Sequence, residues 1–250
     1  MIIDELISYA TMPAKNRVIK DVRAGLGYTC VLLEDGGCGL AYTFRNELGC
    51  CCGVMDFAGK IIGKKAEDMI TWAKDCDLLK AAIGLATVNA ILNDMDKSWE
   101  TGNVLEAFSL TEADSFGMIG DFRPILNSIK SMTKNIYVFE RNAEPEDGLY
   151  PAEMMAEYLP KCKVIVITAT SLINHTIDDI VIYCKHAEEV GLVGLSTPIC
   201  PEVFKDHNVT LLAGSIVKDT NQILQIVSQG GGTMAMRPAI EQVLVPTNYK

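Results

Sequence analysis

The chain has 250 residues, of which 49% are apolar, and its formal net charge is −10 at pH 7. This length and composition predict a well-filled core in one large domain or two modest ones. The acidic charge and the scattered basic residues argue against nucleic acid as a partner.

No membrane segment is expected. The longest apolar stretch, Leu78 to Leu92, is interrupted by Lys80 and Asn89, and it is shorter than the roughly 20 residues of a membrane-spanning helix. The N-terminus lacks the basic region and the cleavage site of a secretory signal, so we expect a cytoplasmic protein.

The first half of the chain reads as α+β. Ile2 to Ala10 has the pattern of a short amphipathic helix, and it is followed by three predicted strands. These are Arg17–Ala24, Tyr28–Leu33 and Cys38–Phe44. Turn-forming residues at Glu34–Gly37 join the last two strands, which predicts an antiparallel meander. Helical segments then follow at Lys65–Lys74 and Leu78–Asp94, and Asp94–Gly102 reads as a connector.

From Ser115 onward short β-branched runs alternate with helical segments. The predicted strands are Phe116–Ile119, Ile136–Phe139, Val164–Ile167, Leu192–Leu195 and Thr210–Ala213. Helices are expected to begin near Pro124, Thr176, Pro201 and Asp219, with the second running through Glu189. This alternation predicts a doubly wound parallel sheet. We therefore divide the chain into an α+β domain, residues 1–110, and a Rossmann-like domain, residues 111–250. A tail of about twenty residues follows Gly230–Gly232 and is expected to pack back onto the first domain.

Polar or small residues follow each predicted parallel strand. They are Gly120–Asp121, Glu140–Asn142, Thr168–Ser171, Ser196–Pro198 and Gly214–Ser215. Because ligands bind beyond the carboxyl ends of such strands, these segments predict a hydroxyl-rich binding rim. Hydroxyls and backbone amides there can hold phosphate, carboxylate or another oxyanion.

A dinucleotide site is a weaker alternative. Gly120 can form the tight turn, and Glu140 follows it at the spacing of a ribose-binding acid. Phe122 and Ile125, however, stand where the second and third glycines are expected. Arg141 could pair with Glu140 or reach an anionic group. An enzyme that uses a nucleotide-type cofactor is thus the second hypothesis.

Histidine and cysteine give little evidence of a metal site. His175 follows the third parallel strand at the ligand edge, where it could bind a metal or shuttle a proton, but a capping-loop residue without chemistry is favoured. The nine cysteines form no C-x-x-C pair, which predicts reduced thiols. Cys50–Cys52 are consecutive and point in different directions, which favours small hydrophobes over a metal site. No nucleophile constellation is present, and the sequence does not decide whether the protein is an enzyme.

The ordered set of motifs resembles the heavy-metal chelation family of prokaryotic proteins. The motifs are Gly37–Tyr42, Phe116–Gly120, Val166–Thr170 with Leu172–Asn174 and Thr176, Leu195–Pro198 and Leu212–Gly214. The resemblance implies an N-terminal domain similar to the enolase N-terminal fold, a Rossmann-like domain after it, and a pocket between them. The enolase barrel is absent, so enolase chemistry cannot be inherited.

The preferred hypothesis is that the two domains close on a heavy-metal ion, a metal-containing anion or a small metal chelate. The expected lining residues are Tyr42, Thr43, Arg45, Asn46, Gly120, Asp121, Phe122, Glu140, Arg141, Thr168, Thr170, Ser171, Asn174, Ser196, Thr197 and Pro198, with His175 as the candidate metal ligand. A transition metal or its chelate is thus the expected partner or cofactor, and a homodimer is left open. An accessory protein whose cleft holds a partner's peptide is a third hypothesis.

Overall fold

A three-stranded antiparallel sheet and a separate seven-stranded, mostly parallel sheet make up the β structure, which confirms the expected α/β fold class. The structure, a computed structural model, describes residues 1–49, 55–93, 99–141, 143 and 149–248. Cys50–Cys52 and Asn142 therefore lie outside the described residues. No helix in the described ranges is long and apolar enough to cross a membrane.

The first half contains the predicted helix, meander and helices. Its elements are α1 (Ile2–Ala14), β1 (Ile19–Ala24), β2 (Tyr28–Leu33), β3 (Cys38–Tyr42), α2 (Ala66–Met69) and α3 (Leu78–Leu92). Gly36 adopts a φ of +99° in the β2–β3 turn, where a left-handed residue is needed. The helix predicted over Lys65–Lys74 is divided, because its second part, Ile70–Lys74, is a 3-10 helix.

Helix α3 is the centre of this half and is buried on nearly every side. Small residues allow its neighbours to approach closely. A Cβ at Gly84 would lie 2.0 Å from the Ala73 nitrogen, and one at Gly39 would lie 2.1 Å from the Ala86 oxygen. Gly84 is therefore required where α3 packs against the 3-10 helix, and Gly39 is required where β3 packs against α3.

The second half is a doubly wound sheet with an added antiparallel edge. Its strands are β4 (Glu100–Thr101), β5 (Ser115–Ile119), β6 (Asn135–Phe139), β7 (Val164–Thr168), β8 (Glu189–Val193), β9 (Leu211–Val217) and β10 (Ile240–Pro246). The order across the sheet is β4-β10-β9-β8-β7-β5-β6. The five parallel strands β5 to β9 follow a flavodoxin-like order, and their topological switch point lies between β5 and β7.

Short helices connect these strands. They are α4 (Arg123–Ile129), α5 (Met155–Tyr158), α6 (Ile177–Val181), α7 (Pro201–Phe204), α8 (Thr220–Ser228) and α9 (Thr233–Met236). The expected start of α8 at Asp219 is confirmed, and the Asp219 carboxylate caps the helix by accepting from the Gln222 nitrogen at 2.9 Å.

One expectation for this half is wrong, because the helix after Thr176 ends at Val181 rather than Glu189. The Thr176 hydroxyl bonds the Asn174 amide at 2.8 Å and does not cap this helix. The tail pairs with its own half through β10, which lies antiparallel beside β9, and it also packs onto the first half as expected, since Met236 and Ile240 share a buried cluster with Leu32 and Leu40. Strand β4, in the predicted connector, pairs with β10. The boundary between residues 110 and 111 stays a prediction.

Two buried asparagines join the halves. Asn89 Nδ2, on α3, donates to the Leu40 oxygen at 2.8 Å and the Ser196 oxygen at 3.1 Å. Asn93 Nδ2 donates to the oxygens of Thr197 and Ser215 at 3.0 and 3.2 Å. These bonds, which we call the asparagine clamp, hold the segment after β8 against α3 and β3.

The Asn93 carbonyl and the backbone of Tyr42 extend the asparagine clamp. Asn93 Oδ1 accepts from the Ile199 nitrogen at 2.8 Å, and the Tyr42 nitrogen donates to Ser196 Oγ at 2.8 Å. The carboxyl ends of the parallel strands therefore face the hairpin of β2 and β3.

We predict that Asn89→Ala lowers the free energy of unfolding by about 2–4 kcal/mol, because two buried carbonyls lose their shared donor. Urea denaturation of the full chain measures the change. Asn127→Ala, on the exposed side of α4, should change the value by less than about 0.5 kcal/mol. Equal effects of the two substitutions would contradict a structural role for the asparagine clamp.

Buried thiols should resist alkylation in the native protein. Burial raises the pKa of Cys30, Cys162 and Cys184 to about 12, so each is a protonated, unreactive thiol at pH 8. Cys76 is exposed. Peptide mapping after brief treatment with iodoacetamide should find Cys76 modified and these three cysteines unmodified, until urea exposes all four. Modification of Cys30 as fast as Cys76 would contradict the expectation.

Candidate functional site

A cleft of about 600 Å³ lies between the β2–β3 hairpin and the carboxyl ends of the parallel strands. Residues after β5, β6, β7 and β8 line one side, and hairpin side chains line the other. The cleft thus lies at the topological switch point, where doubly wound sheets bind their ligands.

Two glycines shape the floor of the cleft. Gly120 follows β5 with a φ of +90°, and Gly194 follows β8 with a φ of +129°. The Phe122 ring approaches the Cβ position of each glycine, at 3.7 Å and 3.9 Å. The chain therefore turns sharply at both strand ends, and an aromatic ring covers the two turns.

The hydroxyl segment after β7 is partly used to build its own turn. Thr168 Oγ1 and Thr170 Oγ1 are 3.0 Å apart, and Ser171 Oγ donates to the Thr168 oxygen at 2.7 Å. These bonds fix the turn. They use part of the hydrogen-bonding capacity of the three hydroxyls, and only the rest is available to a ligand. The expected hydroxyl rim is therefore present, but it is more structural than the sequence indicates.

Three aromatic rings form the hairpin wall. Tyr28 and Tyr42 are paired residues of β2 and β3, and their ring centroids are 5.9 Å apart at an interplanar angle of 86°. Phe44 continues the series at 5.1 Å and 90° from Tyr42. Burial is the main cause that raises the pKa of Tyr28, so its hydroxyl, which is 3.0 Å from Thr233 Oγ1, stays neutral at physiological pH.

Arg141 connects the two sides of the cleft mouth. Its guanidinium donates to both carboxylate oxygens of Glu47, at 3.2 and 2.9 Å, and lies 5.9 Å from the centre of the Phe44 ring. With the Asn174 amide oriented to satisfy both its nitrogen and its oxygen, Asn174 Oδ1 also accepts from Arg141 at 3.2 Å. The charge of Arg141 is thereby matched within the protein.

Four carboxylates line the cleft, and they differ in their partners. Glu140 accepts from the backbone nitrogens of Asp121 and Arg141, each at 3.2 Å. Asp121 pairs with Arg123, while its Oδ1 is buried without a partner in the described part of the chain. Glu153 and Asp179 are exposed on the side of the cleft that α5 and α6 provide.

Most of the residues expected from the sequence come together here. The cleft is lined by Tyr42, Gly120, Asp121, Phe122, Glu140, Arg141, Thr168, Thr170, Ser171, Asn174 and Ser196.

The other expected residues lie outside the lining. Thr43 is buried and shares a 2.9 Å hydrogen bond with Thr29, whereas Arg45 and Asn46 are exposed. Thr197 and Pro198 are buried behind the cleft, where Thr197 bonds the Ala213 oxygen. Their assignment as ligand-binding residues stays a prediction.

His175 also lies outside the cleft lining. Its Nε2 is 3.0 Å from the Asp75 oxygen, so the ring faces the segment before α3. Within the described ranges, no group of three His, Cys, Asp or Glu side chains could hold a metal ion. Its assignment as a metal ligand therefore gains no support from a surrounding donor set.

Sequence reasoning missed several lining residues. Tyr28 and Phe44 could have been predicted from Tyr42, because residues that pair or alternate in a hairpin lie on the same face. Glu153, Asp179 and Tyr183 come from the segments of α5 and α6, where no strand end marks them. Only the packing of these helices beside the sheet edge places them at the cleft.

Two family models together match most of the chain, and both are described as "putative heavy-metal chelation". DUF364 matches residues 103–246, more than half of the chain, and DUF4213 matches residues 3–92. An uncharacterised protein of Methanocaldococcus jannaschii is 27% identical over 226 residues, which is 88% of this chain and 86% of that protein.

Crystal structures of two DUF364 proteins of unknown function have the same fold. The Pyrococcus horikoshii protein superposes with a TM-score of 0.84 at 23% identity, over 98% of this chain and 100% of that one. The Desulfitobacterium hafniense protein gives a TM-score of 0.80 at 19% identity, over 97% and 98% of the two chains.

Gly120→Ala should lower the free energy of unfolding by about 1–3 kcal/mol, because alanine is strained at this positive φ. The new methyl group would also stand 3.1 Å from the Thr168 Cβ. Chemical denaturation measures the effect. Gly232→Ala is the matched control, since its φ is −116° and nothing lies within 4 Å of its Cβ position. A neutral Gly120→Ala substitution would show that the turn tolerates another conformation.

Proposed function

The chain belongs to the DUF364 family, and from that premise we propose that its cleft binds a heavy metal as a small chelate. The metal is cargo in this proposal, held by a smaller molecule that the protein recognises. The single observation that carries the proposal is the contrast between a large cleft and the lack of a preformed donor set within the described residues.

The size of the cleft favours an organic ligand over a bare ion. A volume of about 600 Å³ lies within the roughly 300–1,000 Å³ of pockets for organic ligands. A protein site for a bare transition metal needs several donors at about 2.0–2.3 Å from one point. A chelate satisfies the coordination of its metal and still fills the volume.

The chemistry of the lining agrees with this choice. The cleft presents several aromatic rings and the remaining hydrogen-bonding capacity of the Thr168 and Thr170 hydroxyls. Such groups hydrogen-bond the periphery of a ligand or pack against it, whereas soft metals are bound directly by thiolate and imidazole. They suit recognition of a metal through the molecule that surrounds it.

A nucleotide-type cofactor is the second candidate, and the location of the cleft at the switch point favours it. Two observations weigh against it. Phe122 occupies the second glycine position and packs over Gly120, and the Glu140 carboxylate is engaged by two backbone nitrogens rather than open to a ribose.

Untagged protein purified without chelating agents tests the proposal. Metal analysis by mass spectrometry should find a transition metal, and native mass spectrometry should find a mass excess greater than that of the ion. Thr170→Trp, which fills the cleft, should remove both, whereas Thr11→Trp, on the exposed side of α1, should keep both.

Two outcomes would contradict the proposal. One is a mass excess equal to that of a bare ion, and the other is equal metal content in a folded Thr170→Trp protein. Thermal unfolding of each variant establishes that it is folded. A rise in unfolding temperature with nicotinamide cofactors, flavins, S-adenosylmethionine or pyridoxal phosphate, together with no metal, would favour the second candidate.

A further inference from the structure

Acidic side chains outnumber basic ones in the lining of the cleft. Asp121, Glu140, Glu153 and Asp179 are acidic, and Arg141 is the one basic residue of the described lining. The net charge of the whole chain, −10, has the same sign. A cleft with walls of low dielectric concentrates such a field and attracts ligands of opposite charge.

Arg141 does not offset this field for an incoming ligand. Its guanidinium forms a bidentate pair with Glu47, at 3.2 and 2.9 Å, and it lies over the Phe44 ring. An anionic ligand that took both terminal nitrogens of Arg141 would have to displace the Glu47 carboxylate, and the displaced carboxylate would remain near the cleft mouth. The pair therefore disfavours anions as well as removing the positive charge.

Three of the carboxylates have no cationic partner among the described residues. Glu140 accepts from two backbone nitrogens, Glu153 and Asp179 form no ion pair there, and Asp121 pairs with Arg123. Glu153 and Asp179 are exposed, so a cation can reach both carboxylates without breaking an ion pair. They lie on the side of the cleft that the segments of α5 and α6 provide.

The aromatic wall favours the same sign of charge. Tyr28, Tyr42 and Phe44 line the hairpin side, and Tyr183 lines the side of α6. The face of an aromatic ring carries negative potential, and a cation within about 6 Å of a ring centre is stabilised. Aromatic rings and carboxylates together are suited to a ligand that is positively charged and partly apolar.

We infer that the ligand class of this cleft is a metal complex with a net positive charge. The inference rests on the proposed function, because it assigns a charge to the chelate proposed there. It excludes anionic chelates and metal oxyanions, which the sequence left open on the basis of the hydroxyl rim.

Two inert cobalt complexes of similar shape and opposite charge test the inference. Hexaamminecobalt(III) carries three positive charges and hexacyanocobaltate(III) three negative charges, and neither exchanges its ligands during a titration. Calorimetry with the full chain should show binding of the hexaammine complex at least about tenfold tighter than that of the cyano complex. Added salt should weaken the binding.

Matched charge variants assign the binding to the cleft. Glu153→Gln with Asp179→Asn should weaken hexaamminecobalt(III) about tenfold. Glu34→Gln with Glu106→Gln changes the net charge equally at exposed positions outside the cleft lining and should change the affinity less than about twofold. Equal losses in the two double variants would overturn the assignment to the cleft.

Failure of this inference and failure of the proposed function give different results. Tighter binding of hexacyanocobaltate(III) would overturn the inference and leave a metal-chelate function standing. Methyl viologen, a metal-free organic dication, is the third probe. One outcome is that methyl viologen binds, that substitution of Glu153 and Asp179 weakens it, that the purified protein contains no metal and that neither cobalt complex binds. The preference of the cleft for positive charge is then supported, and the chelate function fails.

Discussion

The buried amides of Asn89 and Asn93 are the interaction on which the rest of the structure depends. A side-chain amide has two donor hydrogens and one acceptor oxygen, so one residue can satisfy backbone groups from separate segments. Asn89 joins β3 to the segment after β8, and Asn93 joins that segment to β9. Gly39 allows α3 to lie so close to β3 that Asn89 reaches the Leu40 oxygen. Together with the buried cluster that the meander forms against β9 and β10, these bonds fix the position of the meander over the parallel sheet.

That fixed position creates the cleft. The Tyr42 nitrogen donates to Ser196 Oγ, so the hairpin and the end of β8 meet on one side of the cleft, and Arg141 with Glu47 joins the two halves at the mouth. Between these contacts, the turns at Gly120 and Gly194 leave room for a ligand of appreciable size. The same contacts occupy many of the polar groups that could otherwise bind a ligand. The groups left for a ligand are mainly aromatic rings and the carboxylates of Glu153 and Asp179.

Much of this architecture could be predicted from local pattern. The eight predicted strands came within a few residues of their observed limits because each is a short apolar run bounded by turn residues, and β2 matched its prediction at both ends. Strand β10 lies in the segment that was predicted only as a tail. The helix after Thr176 was too long because hydrophobic spacing alone does not show where a chain must turn into the next strand. Strand β4 is two residues long and has no periodic signal, so only its pairing with β10 defines it. Eleven of the expected site residues line the cleft, since strand ends at one edge of a parallel sheet must converge.

The sequence by itself determined the α/β fold class, the edge of the sheet at which the cleft lies, and the resemblance to a metal-chelation family. These follow from the spacing of apolar residues and from short ordered motifs, which act over a few residues. Only the tertiary structure decided which polar groups remain available and what charge the cleft presents. Glu47 is 94 residues from Arg141, and no local pattern indicates that the two neutralise each other. Charge balance in a cleft depends on distances through space, and the packing of distant segments sets those distances.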